Sequence, residues 1–323
     1  MSTPGTPLNE AGFPVPAELP LTFGQILDRT FRLLWRNFLT LLLIALPPTA
    51  ILVLLVGALE GAVFLPFLRN PARPPDPTLM FSGWMLLAMI GISIVCVVLY
   101  SLYLPATLHA SLELQEGRPV SFGGAYSKAA SIFGRFVLLH LWVYCIACLP
   151  LLLCEAPVFF TPMLSKGDPS NTIPLTLMFL PIWMLLALAA MVYSFYMMLR
   201  YSMAFPACVA EGLTARAALR RSITLTAKAK GRIFLILLVV YAVCYAAMLA
   251  SMMIVFIFTG VSLFVGSLAH LPSQFPGNLV YIVPAALLGV IFLLVWMALP
   301  YMSLTTALAV LYRDQTRRLS AVS

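Results

Sequence analysis

A chain of 323 residues that is 62% hydrophobic and 9% charged is excluded from the water-soluble class, because soluble domains carry about 25% charged residues and need them to cover their surface. The net charge of +8 points to a membrane surface and away from nucleic acid, since no nucleic-acid-binding motif presents the basic residues. The six cysteines (96, 145, 148, 154, 208 and 244) all lie inside apolar runs and do not suggest a disulfide framework.

In chain order, residues 1–20 (MSTPGTPLNEAGFPVPAELP) hold five prolines and no basic residue. They lack the charged start and apolar core of a signal peptide and are expected to be a disordered cytoplasmic tail, kept in the mature protein. The stretch QILDRTFRLLWRNFLTLLL (25–43) follows. At 100° per residue Gln25, Asp28, Arg29, Arg32 and Arg36 share one helix face, with Ile26, Leu27, Thr30, Phe31, Leu34 and Phe38 opposite. That pattern predicts an amphipathic helix on the inner leaflet, arginines toward anionic headgroups and Phe and Leu toward acyl chains. Each such cation contributes about 1 kcal/mol near an anionic surface. The alternative is that these arginines only enforce orientation.

Apolar segments long enough to cross about 30 Å of hydrocarbon run over 38–60, 80–104, 136–160, 174–200, 233–258 and 279–304. The charge-free stretch from Ile233 to Tyr312 is divided by the turn signals of HLPSQFPGN (270–278). The expected fold is therefore all-α: a polytopic integral membrane protein with six transmembrane helices. With the N-terminus in the cytoplasm, 16 of the 19 Lys and Arg residues fall in inner segments, and only Arg69, Arg73 and Lys166 fall outside. This positive-inside bias places both termini in the cytoplasm and the protein in the cytoplasmic membrane.

The lead-in to the first span returns twice. WRNFLTLLL (35–43), FGRFVLLHL (133–141) and KGRIFLILL (230–238) align Arg36, Gly134 and Gly231 at spacings of 98 and 97 residues. The span ends Leu104-Pro105, Phe205-Pro206 and Leu299-Pro300 are spaced by 101 and 94. One membrane domain over 21–318 is expected, built of three parallel units (about 21–117, 118–212 and 213–318), with 319–323 as a cytoplasmic tail. The third inner segment, LTARAALRRSITLTAKAKGR, opens on Thr214 as a helix cap and steps Arg220, Thr224, Lys228 and Arg232 along one face, with Arg221 beside them. Arg29, Arg32, Arg36, Arg220, Arg221, Lys228 and Arg232 are the candidate contacts to anionic lipid.

Chemistry is sparse. Glu60 and Glu155 fall near the outer interface, about 33 Å of helix separating Phe38 from Glu60. His109, His140 and His270 make no metal-ligand spacing. Cys145-x-x-Cys148 lies within a span without a partner pair and reads as packing. Pro47-Pro48, Pro105, Pro150, Pro181, Pro206, Pro284 and Pro300 read as kinks or span ends, and Gly57-x-x-x-Gly61 permits a close helix contact. No catalytic residue, metal or cofactor is expected.

FGQILDRTFRLLWRNFLTLLLIALPP and AFPACVAEGLTARAALRRSITLTAKAKGRIFLILLVV, with the closing ALAVLYRDQTRR, resemble the membrane domain of some bacterial glycerophosphoryl diester phosphodiesterases. The resemblance covers about 20–318 and is weaker in SFGGAYSKAASIFGRF. It implies the membrane part alone: the family's catalytic barrel begins with a His-Arg-Gly motif, whereas here the contexts are His109-Ala, His140-Leu and His270-Leu. The expected function is a non-catalytic module that binds membrane phospholipid, or a separately encoded membrane-associated protein, at the inner leaflet. The competing expectation is a transporter or lipid-translocating protein without ion-coupling carboxylates. A continuous polar path contributed by several spans would favour the second.

Overall fold

The computed structural model of the chain describes residues 21–69, 83–151, 153–154, 169–227, 229–268 and 279–320. The 1–20 tail, Glu155, the 270–278 turn with His270, Lys166 and Lys228 lie outside them. The described chain is helical, without a strand. Its elements are α1 (Phe23–Arg36), α2 (Phe38–Arg69), α3 (Gly83–Gln115), α4 (Phe122–Ser131), α5 (Phe133–Ala147), α6 (Pro169–Tyr201), α7 (Ala204–Glu211), α8 (Ala215–Thr226), α9 (Lys230–Leu268) and α10 (Leu279–Ser320).

Five of these helices, α2, α3, α6, α9 and α10, are long and apolar enough to cross a membrane. A sixth span results if α4 and α5, bent by 70° at their junction, count as one. This is a helical membrane protein, and its surface agrees: Leu54, Leu87, Leu185 and Val192 are among the exposed large apolar side chains along the long helices. In water such a surface would aggregate; in hydrocarbon it is solvated.

Two of the short helices, α1 and α4, start where side chains cap them. Thr22 and Gln25 form a reciprocal capping box at α1: the Gln25 N–H reaches Thr22 Oγ1 at 3.4 Å and the Thr22 N–H reaches Gln25 Oε1 at 2.8 Å. Ser121 Oγ accepts the Gly124 N–H at 3.1 Å and caps α4. Thr214 takes the extended capping conformation at α8 without a side-chain bond. The chain reaches the second and third of these helices through left-handed glycines, Gly117 at φ 74° and Gly212 at φ 64°. At the end of α3 the Arg118 N–H bonds the Glu113 carbonyl and the Gly117 N–H bonds the Leu114 carbonyl, the paired bonds of a Schellman turn.

Each of these helices then packs on a neighbouring helix: α4 on α3, α8 on α7, and α1 on α10. The last pairing joins the beginning of the described chain to its end. The core under them combines Ile26 of α1, Leu108 and Leu112 of α3, Phe136 of α5, Cys208 of α7 and Leu311 of α10. Hydroxyls of α8 also finish α6: Ser222 and Thr226 donate to the Arg200 carbonyl at 2.8 and 3.2 Å, satisfying a helix-terminal acceptor.

Two expectations change. The apolar face of α1 does not enter the acyl region, because Ile26, Thr30 and Leu34 are buried in protein against α10 and its neighbours. Pro105 and Pro300 do not end their helices: α3 continues to Gln115 and α10 to Ser320. Both helices run on because the segments beyond the prolines are buried in the core, where packing outweighs the local cost of a missing N–H. At Gly57 an added Cβ would meet nothing within 4 Å, so no close helix contact depends on that glycine.

Docking of α1 on α10 has a direct test. Ile26→Ala removes a fully buried side chain and is expected to destabilise the protein by about 2–4 kcal/mol. Leu39→Ala, at a site 72% exposed, is expected to change stability by less than about 0.5 kcal/mol. Thermal unfolding in detergent compares the two, and equal small shifts would place α1 on lipid instead of protein.

Candidate functional site

Most of the described charged residues, Glu60 and Arg69 of α2 apart, gather at one end of the bundle, where α3, α7 and α10 stop and α1, α4 and α8 cover them. Three of the predicted lipid contacts come together there. Arg29, Arg32 and Arg36, one turn apart on α1, face the turn after α3 across a cleft of about 310 Å³. Arg118 enters the same cleft from the α3 side, so four guanidinium groups converge on it. Leu33, Asn37, Leu114, Gln115 and Pro119 complete the walls. Gln115 Nε2 is buried without a hydrogen-bond partner, a donor left over beside the cleft.

The cleft's own carboxylates do not neutralise it. Asp28 holds Arg32 at 2.6 Å in an exposed i,i+4 pair, and Arg118 reaches Glu113 and Glu116. Arg29 and Arg36 make no ion pair among the described residues. Beside them Trp35 is 85% exposed and Leu39 opens the apolar surface of α2. A tryptophan at the junction of a charged helix and an apolar one marks the depth of an interfacial anchor.

The predicted contacts of the third inner segment go elsewhere. Arg220 stands exposed on α8 and lines neither this cleft nor the chamber described below. Arg221 turns to Glu211 at 3.1 Å. Arg232 turns inward to Asp314 at 3.1 Å and donates to the Leu21 carbonyl. An internal carboxylate at hydrogen-bond distance outcompetes a mobile headgroup, so Arg221 and Arg232 serve structure first.

Asp314 is the centre of that second network, and inspection of the sequence for lipid contacts passed it over. Its side chain is 0% exposed. It accepts from the Leu21 N–H at 2.8 Å, from Arg318 at 2.8 Å and from Arg232, while Arg318 also donates to the Leu21 carbonyl at 2.7 Å. A fully buried carboxylate is tolerated only with this many charged and backbone donors around it. The signal for it was the isolated acid in TyrArgAspGlnThrArgArg, Tyr312 to Arg318, closing a helix whose preceding 30 or so residues carry no charge.

Elsewhere the described spans offer little chemistry. Ser101, Thr107, Ser111, Ser303, Thr305 and Thr306 are buried between α3 and α10. Thr107, Ser303, Thr305 and Thr306 each donate to a carbonyl of their own helix, and Ser111 and Thr306 meet across the interface at 3.2 Å. Hydroxyls satisfied in this way join helices, while the Ser101 hydroxyl is buried without a partner among the described residues. His140 sits among tilted rings, 6.4 Å from Tyr100 and 5.6 Å from Phe205, with no acid beside it in the described residues. Cys145 and Cys148 are free thiols, and no group of three metal-ligating side chains occurs among the described residues.

Comparison of the chain with protein-family models, with curated proteins and with solved structures returned no match.

Removing the buried carboxylate should unlock α1. Asp314→Asn leaves the Arg232 and Arg318 guanidinium groups without a counter-charge, and both are partly exposed, so the expected cost is about 2–3 kcal/mol. Limited proteolysis should then cut near Leu21 and α1 much faster than in the wild type. An unchanged digestion pattern would mean that α1 is held by its apolar face alone.

Proposed function

We propose that this chain is a non-catalytic membrane module that holds anionic phospholipid headgroups at the inner leaflet, in the cleft between α1 and the end of α3. The observation that carries the reading is the convergence of Arg29, Arg32, Arg36 and Arg118 on one cleft with fewer carboxylates than cations. A phosphate diester in the cleft would accept from several guanidinium groups at once, and Arg is suited to such forked contacts. Its acyl chains would continue along the exposed apolar surface that starts at Leu39 and Leu43.

In this reading the charged end is cytoplasmic, six spans cross the cytoplasmic membrane, and the units 21–117, 118–212 and 213–318 are repeats. Support for the repeats comes from α1 taking on α10 the place that α4 takes on α3 and α8 on α7. The membrane part of the glycerophosphoryl diester phosphodiesterase family remains the proposed kinship, without its hydrolase. The bonds that Thr107, Ser303 and Thr306 make within their own helices weigh against the transporter alternative.

Native mass spectrometry of gently purified protein tests the cleft. The wild type is expected to retain anionic lipid, and Arg29→Gln with Arg36→Gln to lose it about thirtyfold, two charges at about 1 kcal/mol each. Equal retention would remove the cleft as the binding site. Incubation of the same sample with a glycerophosphodiester is expected to release no glycerol phosphate; release at an enzymatic rate would overturn the non-catalytic assignment.

A further inference from the structure

A second cavity lies on the other side of Arg118. It has a volume of about 430 Å³ and is walled by α3, α4, α7, α8 and α10. It is bordered by the segments that follow Pro105, Pro206 and Pro300, and its walls are mostly polar or charged.

The charges in its walls are not self-cancelling. Glu113 lies between His109, at 3.8 Å, and Arg118. Glu116 bridges Arg118 and Arg313 from just outside the lining. Glu211 accepts from Arg221 at 3.1 Å and from the Tyr312 hydroxyl. Each carboxylate is thus already engaged by donors on two sides. The donors have capacity left. Arg313 Nε is buried with no partner, and Lys128, in the last turn of α4, has no hydrogen-bond or ion-pair partner among its described neighbours.

A divalent cation would need carboxylate oxygens that are committed elsewhere, and no cluster of three acidic, His or Cys ligands exists among the described residues. An anion meets the opposite condition: Lys128, the Arg313 Nε–H and the outer N–H groups of Arg118 and Arg221 are cationic donors without enough acceptors. Large apolar groups that would accompany an acyl chain are missing from the lining, where Leu112 and Val209 belong to the buried core.

We infer that this chamber is a binding site for a water-soluble phosphate-bearing solute, free phosphate or a phosphomonoester, reached from the side of the charged end. The site is distinct from the lipid cleft and stands whether or not the cleft holds lipid. Lys128 and Arg313 are its principal contacts, and Arg118, which lines both cavities, is the wall between them.

The test uses the full chain in nanodiscs of phosphatidylcholine alone, with radiolabelled inorganic phosphate as the probe in equilibrium dialysis. One saturable phosphate per chain is expected. Lys128→Met, at an exposed position whose side chain makes no hydrogen bond or ion pair among the described residues, should weaken binding about fivefold or more with the thermal midpoint unchanged. Arg313→Lys keeps the charge, removes the buried Nε donor and should weaken binding as well. Arg29→Gln with Arg36→Gln should leave phosphate binding at the wild-type level, which separates this site from the cleft. Absence of saturable phosphate, or binding insensitive to both Lys128→Met and Arg313→Lys, would overturn the inference. So would loss of the bound phosphate on adding phosphatidylglycerol to the discs in a manner abolished by Lys128→Met, since the chamber would then belong to a lipid headgroup.

Discussion

Burial of Asp314 ties the described chain into a closed arrangement. A carboxylate at 0% exposure must be surrounded by donors, and those donors come from three places: the backbone at Leu21, Arg232 at the start of α9, and Arg318 one turn further along α10. Because two of the three are far away in sequence, satisfying this one group brings α1 and α9 to the end of α10. The apolar face of α1 then buries Ile26, Thr30 and Leu34 on the helices it meets there. Thr30 belongs on that face because its hydroxyl bonds the Ile26 carbonyl at 2.8 Å and leaves no polar atom unpaired.

A membrane changes which contacts can hold such a molecule together. Lipid is as apolar as the spans, so burying Leu against Leu brings less than it would in water, and packing, hydrogen bonds and ion pairs decide the association. The charged end is where those resources are concentrated. Tyr126 reaches the Ile44 carbonyl at 2.7 Å, Arg135 reaches the Gly212 carbonyl at 3.0 Å, and Glu211 joins α8 to α10. Each short helix is thereby both a lid on the core and a carrier of arginines.

That double use gives the arginines two fates. On α1 the buried face takes the apolar residues, and Arg29, Arg32 and Arg36 are left on the rim of a cleft with too few carboxylates. On α8 the neighbouring Glu211 claims Arg221, while Arg220 one residue earlier points away. Aromatic rings take others: Arg216 lies 5.7 Å from the Trp142 ring and Lys230 lies 4.5 Å from Tyr196. Cations of one type and similar sequence context therefore differ in what they can bind.

The sequence alone determined what depends on composition and local pattern. Apolar segments of spanning length and the amphipathic face of α1 are one-dimensional features, because helix period and hydropathy act over a few residues. Where α3 and α10 end was not such a feature: Pro105 and Pro300 are local stop signals, overridden by burial of the segments beyond them. Tertiary structure alone decided which arginines are free. Arg36 and Arg232 occupy similar places at the start of a span, yet one borders an open cleft and the other is held by an acid 82 residues away. Charge pairing at that range depends on which helix ends meet, and no period or motif in the chain encodes that distance.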